Sequence, residues 1–376
     1  MTETSYTVFE NHEVRKTKQQ KTAFIAYVQE VAEKNGYTCQ TERGSFGARN
    51  IVVGDPDHAK VVYTAHYDTC ARLPFPNFIT PKCFAIYLLY QIVVTVGFML
   101  LPAFLVPLAV GVCMTLCGLA DAVPYVIAPL VYAVMIAFFA LIMFGPANKH
   151  TANDNTSGVT VLLDLMTSLP DEQKAHAAFV FFDLEELGLF GSAGFAKKHK
   201  EAMKNKLLIN FDCVSDGEHI LFTTAKKSRQ YAAQLREIFP STDKVETEVT
   251  THGVFYPSDQ SNFPCGVGVA ALKRSRRFGL LYMNRIHTKR DTVYREENIA
   301  YLVQGCIALT AALSCKNVLA DGVKNEIFDE YGIYAYNEEA TIEETRPLGK
   351  GKRCFKNEKS KEKLIVQYKN MMQKYQ

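Results

Sequence analysis

A long apolar stretch in the first half of the sequence restricts the fold of this chain more than any other feature. From residue 83 to residue 148 the only charged side chain is Asp121, and the apolar runs on either side of it can each cross about 30 Å of hydrocarbon. With two prolines late in the first run, the pattern predicts membrane-spanning helices at about 84–106 and 123–144, joined by an irregular link. The alternative is a buried hairpin in a soluble core.

Composition excludes some classes of protein. The chain has 376 residues, 48% of them hydrophobic, and a formal net charge of +3, so it lacks the basic footprint of a nucleic-acid-binding protein and we expect no nucleic-acid partner. Its polar first 20 residues contain no apolar core of a signal peptide, which favours a cytoplasmic amino terminus. Ten cysteines are scattered without a CxxC pair, so we interpret them as reduced thiols, with a disulfide framework as the alternative.

Outside the apolar stretch, the sequence has the alternating pattern of an α/β protein. Apolar periodicity predicts an amphipathic helix at 13–36, and then strands at about 38–42, 50–53 and 61–65. After the stretch, helices and strands alternate at 158–168, 177–184, 192–199 and 207–212. The predicted fold is therefore α/β, with a helix-covered, mainly parallel (mixed) sheet interrupted by a two-helix membrane hairpin.

We predict four parts along the chain. The first part of the α/β domain occupies residues 1–70, the hairpin insert 71–149 and the second part of the domain 150–335. The last part, 336–376, is charge-segregated and poor in core residues, so we interpret it as a peripheral tail, with a short helix at 364–375.

Five short motifs carry the residues that suit chemistry. They are AHYDT at 65–69, NDNTSG at 153–158, DLEELGLFGS at 183–192, NFDCVSD at 210–216 and RIHTKRDT at 285–292. Each alone has an ordinary explanation, such as a strand-end polar residue, a turn before a helix or a solvated acidic pair. Together they supply imidazole and carboxylate groups at the ends of predicted neighbouring strands, a ligand set that suits zinc. The candidate ligands are His66, Asp154, Glu186, Asp212 and His287.

These motifs, in this order, resemble those of the co-catalytic di-zinc peptidases, the family of the bacterial leucyl aminopeptidases and the glutamate carboxypeptidases. The resemblance covers about 22–70 and 150–313. It implies two Zn²⁺ ions, one held by His66 and Asp212 and the other by Glu186 and His287. Asp154 would bridge both ions, screening their repulsion and fixing their spacing.

The resemblance also implies catalytic roles. Glu185 would take a proton from a water that bridges the metals and attacks the scissile carbonyl. Asp68 would accept the second N–H of His66 and fix its tautomer. Tyr256 is the candidate for stabilising the oxyanion, and Asp291 would support the site near His287.

Two features depart from the family pattern: Gln260 stands where relatives often carry histidine, and simple soluble relatives lack the insert. The expected function is hydrolysis of a peptide bond near a chain end, most simply removal of the amino-terminal residue of a peptide substrate. The alternatives are a single-zinc acyltransferase like the glutaminyl cyclases and a non-catalytic membrane scaffold. The complete two-metal set and the absence of tryptophan weaken the first alternative, and so much potentially buried negative charge weakens the second.

A shared site also predicts a topology. His66 precedes the insert and Asp154 follows it, so both flanks must lie on one side of the bilayer and the number of crossings must be even. Positive residues flank the two spans, at positions Arg72, Lys82 and Lys149, whereas the link offers only Asp121. Positive residues near spans stay inside, so we expect a two-span membrane protein with residues 84–144 in the lipid bilayer and the catalytic domain in the cytoplasm.

Overall fold

The computed structural model describes the backbone of residues 1–331, 334–335 and 346–347, and side chains as far as Ser314. One compact unit spans Met1–Thr310 and contains the sheet, the hairpin and all the candidate site residues; a second unit spans Ala311–Gln376. Two short strands of the second unit, Tyr334–Ala335 and Arg346–Pro347, pair in antiparallel fashion. The terminal helix at 364–375 and nearly all of the tail lie outside the described residues.

A nine-stranded mixed sheet forms the centre of the first unit, with strand order β1-β2-β4-β3-β5-β8-β6-β7 and with β9 paired to β8. Pairing is parallel for β4-β3-β5-β8 and for β6-β7, and antiparallel elsewhere. The strands are β1 Cys39–Arg43, β2 Arg49–Val53, β3 Val61–His66, β4 Ala177–Phe182, β5 Leu207–Phe211, β6 His219–Thr224, β7 Glu246–Thr250, β8 Gly266–Arg274 and β9 Leu281–Tyr282.

The central strands are buried because helices cover both faces of a parallel sheet. Every residue of β3, β4 and β5 is buried, which explains their nearly continuous apolar sequences. The helix-covered, mixed α/β sheet predicted from the sequence is confirmed. The helices are α1 Glu3–His12, α2 Lys18–Lys34, α3 Phe84–Val94, α4 Leu101–Leu116, α5 Val123–Phe144, α6 Gly158–Ser168, α7 Asp171–Lys174, α8 Phe190–Lys198, α9 Ala232–Ile238 and α10 Glu296–Tyr331.

The first amphipathic helix begins later than the predicted residue 13. Thr17 and Gln20 form a reciprocal capping box that starts α2 at Lys18. Before it, the fully buried Arg15 donates hydrogen bonds to the backbone carbonyls of His12, Glu13 and Tyr67, an arrangement that a continuous helix would prevent. The connection from α1 to α2 is therefore a turn around a buried guanidinium.

Two helical segments, Phe84–Leu116 and Ala120–Phe144, are long and apolar enough to span a membrane. The second matches the predicted span, but the first continues ten residues past the predicted end at 106. Pro102 lies in the first turn of α4, directly after a π-helical turn at Thr95–Leu100 whose hydrogen-bond spacing differs from that of an α-helix. Pro107 then lies inside α4 without ending it.

The hairpin leaves and re-enters the sheet domain at one place. Ala71 and Ala147 form an antiparallel bridge, and the backbone N–H of Arg72 donates to the carbonyl of Pro146 at 2.8 Å. Leu73 donates from its backbone N–H to the carbonyl of His287 at 2.8 Å. The base of the hairpin therefore lies directly beside a candidate metal ligand.

Candidate metal centre

The candidate site lies at the carboxyl edge of three neighbouring parallel strands. His66 is the last residue of β3, and Asp212 follows the last residue of β5. Glu185 and Glu186 occupy the turn after β4, which ends at Phe182. Since β3 lies between β4 and β5, these side chains emerge together at one edge of the sheet, where sites in α/β folds form.

Asp154 lies at the centre of this group, and its two carboxylate oxygens face in different directions. Oδ1 lies 3.4 Å from Nε2 of His66, and that nitrogen lies 3.5 Å from Oδ1 of Asp212. Oδ2 lies 3.1 Å from Nε2 of His287, which lies 3.4 Å from Oε2 of Glu186. The five predicted ligands therefore divide into two donor groups that share Asp154.

The two asparagines beside Asp154 hold its loop against the loop that carries Asp212. Oδ1 of Asn153 accepts hydrogen bonds from the backbone N–H groups of Ser215 and Asp216. Oδ1 of Asn155 accepts from the N–H of Cys213 at 3.2 Å. These bonds fix two separate chain segments relative to each other, so the asparagines of the NDN motif orient the acids rather than act as ligands.

Three residues other than glycine adopt left-handed backbone conformations at the site. They are Leu184 just before Glu185, Cys213 just after Asp212, and His287 itself, with φ of 56°, 58° and 63°. Such conformations cost roughly 1–3 kcal/mol each and cluster at functional sites. Leucine and cysteine rarely adopt a positive φ, and a single histidine is too weak a signal, so the sequence did not predict this feature.

Crowding of acids around the histidines changes their proton affinities. Burial would lower the pKa of His66, but Glu185, Asp154 and Asp212 raise it well above its usual value. Loss of solvent, reinforced by neighbouring carboxylates, raises the pKa values of Glu185 and Glu186 well above the usual range. The site therefore concentrates negative charge that a cation would stabilise.

Asp68 contacts both a ligand and the predicted base. Its backbone carbonyl lies 3.1 Å from Nδ1 of His66, whereas its carboxylate Oδ1 lies 3.7 Å from the same nitrogen. That carboxylate oxygen accepts a hydrogen bond from the backbone N–H of Glu185 at 3.0 Å. Asp68 thus orients His66 mainly through its main chain and the Glu185 loop through its side chain.

The side chains from the 256–260 segment are buried. The hydroxyl of Tyr256 donates to the backbone carbonyl of Asp212 at 3.0 Å. Gln260, which stands where relatives often carry histidine, accepts from Asn210 and donates to the carbonyl of Tyr256, so it packs as a structural residue. Asp259 was not predicted as a site residue, yet both its carboxylate oxygens are buried and form no close hydrogen bond among the described residues. The nearby hydroxyl of Ser192 acts to lower the pKa of Asp259.

A divalent metal fits this arrangement. Oε1 of Glu186 is buried and has no hydrogen-bond partner within the described part of the chain. Imidazole nitrogens and carboxylate oxygens are the donors that zinc binds in catalytic sites. Potential ligand atoms lie within 4.8 Å of one another in three groups: His66, Asp154 and Asp212; His66, Glu185 and Glu186; and Cys70, Asp154, Glu186 and His287. Cys70 was not predicted from the sequence.

The fold and this donor set define a candidate metal centre, rich in carboxylates, on an α/β sheet. Residues 131–305 match the sequence model of Peptidase family M28, a family of zinc peptidases, which confirms the predicted resemblance to the zinc exopeptidases. The matched segment includes Asp154, Glu186, Asp212 and His287, whereas His66 lies before it. No curated protein matches the sequence.

Solved structures with a similar fold include aminopeptidases and glutaminyl cyclases. The LapA aminopeptidase of Legionella pneumophila is 12% identical, with 82% of this chain and 69% of that chain covered and a TM-score of 0.48. A Zn-dependent exopeptidase from Parabacteroides distasonis is 15% identical, with coverage of 82% and 96% and a TM-score of 0.47. A glutaminyl cyclase from Bacteroides thetaiotaomicron is 14% identical, with coverage of 81% and 95% and a TM-score of 0.46.

Proposed function

We propose that this chain is a membrane-anchored, zinc-dependent aminopeptidase with a two-metal site. The observation that carries the proposal is the position of Asp154, whose two carboxylate oxygens face two separate groups of potential ligands. A site for one metal ion would not require a second histidine and acid, His287 and Glu186, on the other side of that carboxylate. The arrangement matches a bridging ligand between two ions.

In this proposal His66 and Asp212 hold one zinc, Glu186 and His287 hold the other, and Asp154 contacts both. When bound, the ions supply Lewis acidity and a water of lowered pKa. The three ligand carboxylates offset most of the positive charge of two divalent ions. Asp68 and Tyr256 keep two of the ligands in place through His66 Nδ1 and the carbonyl of Asp212.

Glu185 acts as the general base in this mechanism. Its carboxyl lies in the same group of potential ligands as His66 and Glu186. Loss of solvent raises its pKa well above the usual range, a shift that the charge of His66 opposes and that Glu186 and Asp212 reinforce. A carboxylate with raised proton affinity accepts a proton from the attacking water and returns it to the leaving amine. The hydrogen bond from its backbone N–H to the carboxylate of Asp68 fixes the position of the turn that carries Glu185.

Asp259 supports a preference for the amino end of a peptide. Its carboxylate is buried without a close hydrogen bond among the described residues. Burial raises its pKa to about 7, a shift that the charge of His66 and the hydroxyl of Ser192 oppose and that Asp212 and Asp68 reinforce. A free α-ammonium group is a cation with three donors, and it would both neutralise and hydrogen-bond such a carboxylate. We therefore assign Asp259 to binding the substrate's amino group.

Tyr256 is a weaker candidate for the oxyanion role that the resemblance implies. Its hydroxyl is buried and already donates to the carbonyl of Asp212, whose carboxylate we place on the first metal. A phenol can donate only one hydrogen bond, so in this arrangement Tyr256 positions Asp212. Stabilisation of the oxyanion then falls mainly to the metals.

The hairpin anchors the enzyme in the bilayer with the catalytic unit on the cytoplasmic side. In the first span 11% of its most apolar window is buried, and in the second 0%, so both expose apolar surface that lipid would cover. Cations surround the hairpin base on the catalytic side: Lys82 pairs with Glu248, and the ammonium of Lys16 donates to the carbonyl of Met143. This charge distribution supports the predicted orientation.

Hydrolysis of matched peptide substrates tests the proposal. The purified full-length protein, loaded with zinc, should release the first residue from amino-acyl substrates and spare the same substrates when their amine is acetylated. Asp259→Asn should raise KM for the free-amine substrates more than it lowers kcat. Cyclisation of amino-terminal glutamine without peptide hydrolysis would instead support the cyclase alternative.

A further inference from the structure

The second group of potential ligands contains a cysteine that the two-metal proposal does not use. Sγ of Cys70 and ligand atoms of Asp154, Glu186 and His287 all lie within 4.8 Å of one another. Cys70 is 2% exposed and forms no disulfide. Donor atoms bound to one tetrahedral zinc at 2.0–2.3 Å are about 3.5 Å apart, so small adjustments bring this group around one ion.

The backbone around Cys70 holds the thiol in this position. Its carbonyl accepts a hydrogen bond from the N–H of Asn148 at 3.1 Å. The next residue, Ala71, bridges to Ala147, and Leu73 is hydrogen-bonded to the carbonyl of His287. The segment is thus tied to the second flank of the hairpin and to a proposed ligand, independently of any metal.

The surroundings of Cys70 differ from those of a cysteine that fills an apolar core. Cys213, for comparison, lies beside Asp212 but packs in a hydrophobic cluster with Leu221 and Ala270, and it belongs to none of the groups of potential ligands among the described residues. The groups close to the Cys70 thiol are the carboxylates of Asp154 and Glu186 and the imidazole of His287. Oε1 of Glu186 is buried and has no hydrogen-bond partner among the described residues. A metal ion explains why a thiol, two acids and a histidine converge.

We infer that Cys70 is a ligand of the zinc ion held by Glu186, His287 and Asp154. On binding, the thiol releases its proton to solvent and a sulfur–metal bond forms. This inference rests on the proposed metal centre and adds to it a sulfur donor.

A thiolate ligand makes the two metal positions unequal. The position at His287 gains four protein ligands, which is the closed, tetrahedral pattern of tightly held zinc. The position at His66 has three, His66, Asp154 and Asp212, and keeps an open place for water or substrate. Glu185, the proposed base, lies in one group of potential ligands with His66 and with Glu186, so it lies beside both positions.

The same ligand favours particular metals. Soft thiolate donors favour zinc over the hard ions magnesium and manganese, which prefer oxygen. The position at His287 should therefore be selective for zinc. The position at His66, which has only nitrogen and oxygen ligands, should be less selective. In this inference Cys70 determines which metal ion occupies the position at His287.

Cobalt(II) substitution of the full-length protein tests this inference, since a sulfur–cobalt bond produces a charge-transfer absorption band in the near ultraviolet. The wild type should bind two cobalt ions and show the band. Cys70→Ser should lose the band yet still bind cobalt at the His66 position, and its zinc at the His287 position should weaken by at least about tenfold to a hundredfold, the range found when even an outer partner of a ligand is removed. Cys306→Ser, which changes another fully buried thiol, should keep the band.

X-ray absorption of the zinc-loaded wild type gives a second readout that needs no variant. A sulfur shell at about 2.3 Å should appear beside the nitrogen and oxygen shell. Two bound cobalt ions without the band, or a band that persists in Cys70→Ser, would overturn the inference while leaving the two-metal proposal intact. A protein that binds no cobalt would overturn both.

Discussion

The carboxylate of Asp291 holds the main chain of Asp154. Oδ2 of Asp291 accepts a hydrogen bond from the backbone N–H of Asp154 at 3.1 Å, and Oδ1 accepts from the N–H of Asn153 at 2.8 Å. Burial, with the nearby charge of Asp154, raises the pKa of Asp291 to about 8. The aspartate of the RIHTKRDT motif therefore orients the backbone of the proposed bridging ligand.

Asp291→Asn should weaken zinc binding without removing a ligand. The amide keeps one acceptor oxygen but turns an NH₂ group toward a backbone N–H, so the Asp154 loop loses one of its two bonds. We expect a loss of about tenfold to a hundredfold in zinc affinity, measured by competition with a chelator. Asp243→Asn, an exposed substitution, should bind zinc like the wild type. Unchanged affinity in Asp291→Asn would remove the positioning role.

Glu185→Gln should keep both metals and lose turnover. Glutamine preserves the shape and the backbone hydrogen bond to Asp68 but cannot accept the proton. We expect kcat to fall by at least about a hundredfold, the usual worth of a positioned proton acceptor, with metal content unchanged. Glu172→Gln changes an exposed acid and serves as the control. A Glu185→Gln protein with near-normal turnover is incompatible with this mechanism.

A buried ion pair supports the Glu185 turn. Lys21 of α2 pairs with Asp183, whose carboxylate also accepts from the backbone N–H groups of Leu184 and Arg49; the two paired side chains are 9% and 3% exposed. Lys21→Met would leave Asp183 buried without its cation, which typically costs about 3–5 kcal/mol of stability. Thermal unfolding in detergent should show a lower Tm.

The pH dependence of the stability lost in Lys21→Met identifies the physical cause of that loss. Burial, with Asp68, raises the pKa of Asp183, so its folded-state pKa lies above the unfolded value of about 3.9. A group of this kind destabilises the fold in its charged form, so the deficit of Lys21→Met should shrink as pH falls toward about 4. Adding Asp183→Asn should restore part of the stability at neutral pH. A pH-independent deficit would point to lost packing instead.

Labelling with a membrane-impermeant thiol reagent tests the topology. Asp121→Cys lies in the link between the spans, and Glu172→Cys lies on the exposed surface of the catalytic unit. In intact cells, peptide-level mass spectrometry should find position 121 labelled and position 172 protected until the membrane is opened. The opposite pattern would show that the orientation is reversed, and labelling of both positions would exclude a two-span hairpin.

The sequence predicted the sheet better than it predicted the local geometry. Apolar runs that end in His66 and Asp212 locate the strands, because burial on both faces requires continuous apolar residues. By contrast, the predicted first helix overran the capping box of Thr17 and Gln20, a local pattern that starts α2 at Lys18. The length of the first span depends on a π-helical turn before Pro102, which local patterns do not encode.

Cys70 and Asp259 were missed for a different reason. Cys70 directly follows the AHYDT motif, and its spacing from the other candidate ligands matches no known metal-binding pattern. Main-chain pairing of its segment with residues far along the sequence brings it close to His287. Asp259 lies in the same segment as Tyr256, and Tyr256 was the residue of that segment for which a catalytic role was predicted. Only the three-dimensional structure shows that its carboxylate is buried and lacks a close hydrogen bond within the part of the chain that the structure describes.

The zinc content of the purified full-length protein tests the central claim most directly. We predict two zinc ions per chain in the wild type, about one in Asp212→Ala, and loss of more than one in Asp154→Ala, because only Asp154 serves both positions. Mass spectrometry of the metal together with quantitative amino-acid analysis gives the ratio. A ratio near one in the wild type, with Asp154→Ala and Asp212→Ala losing the same amount, would contradict the two-metal account.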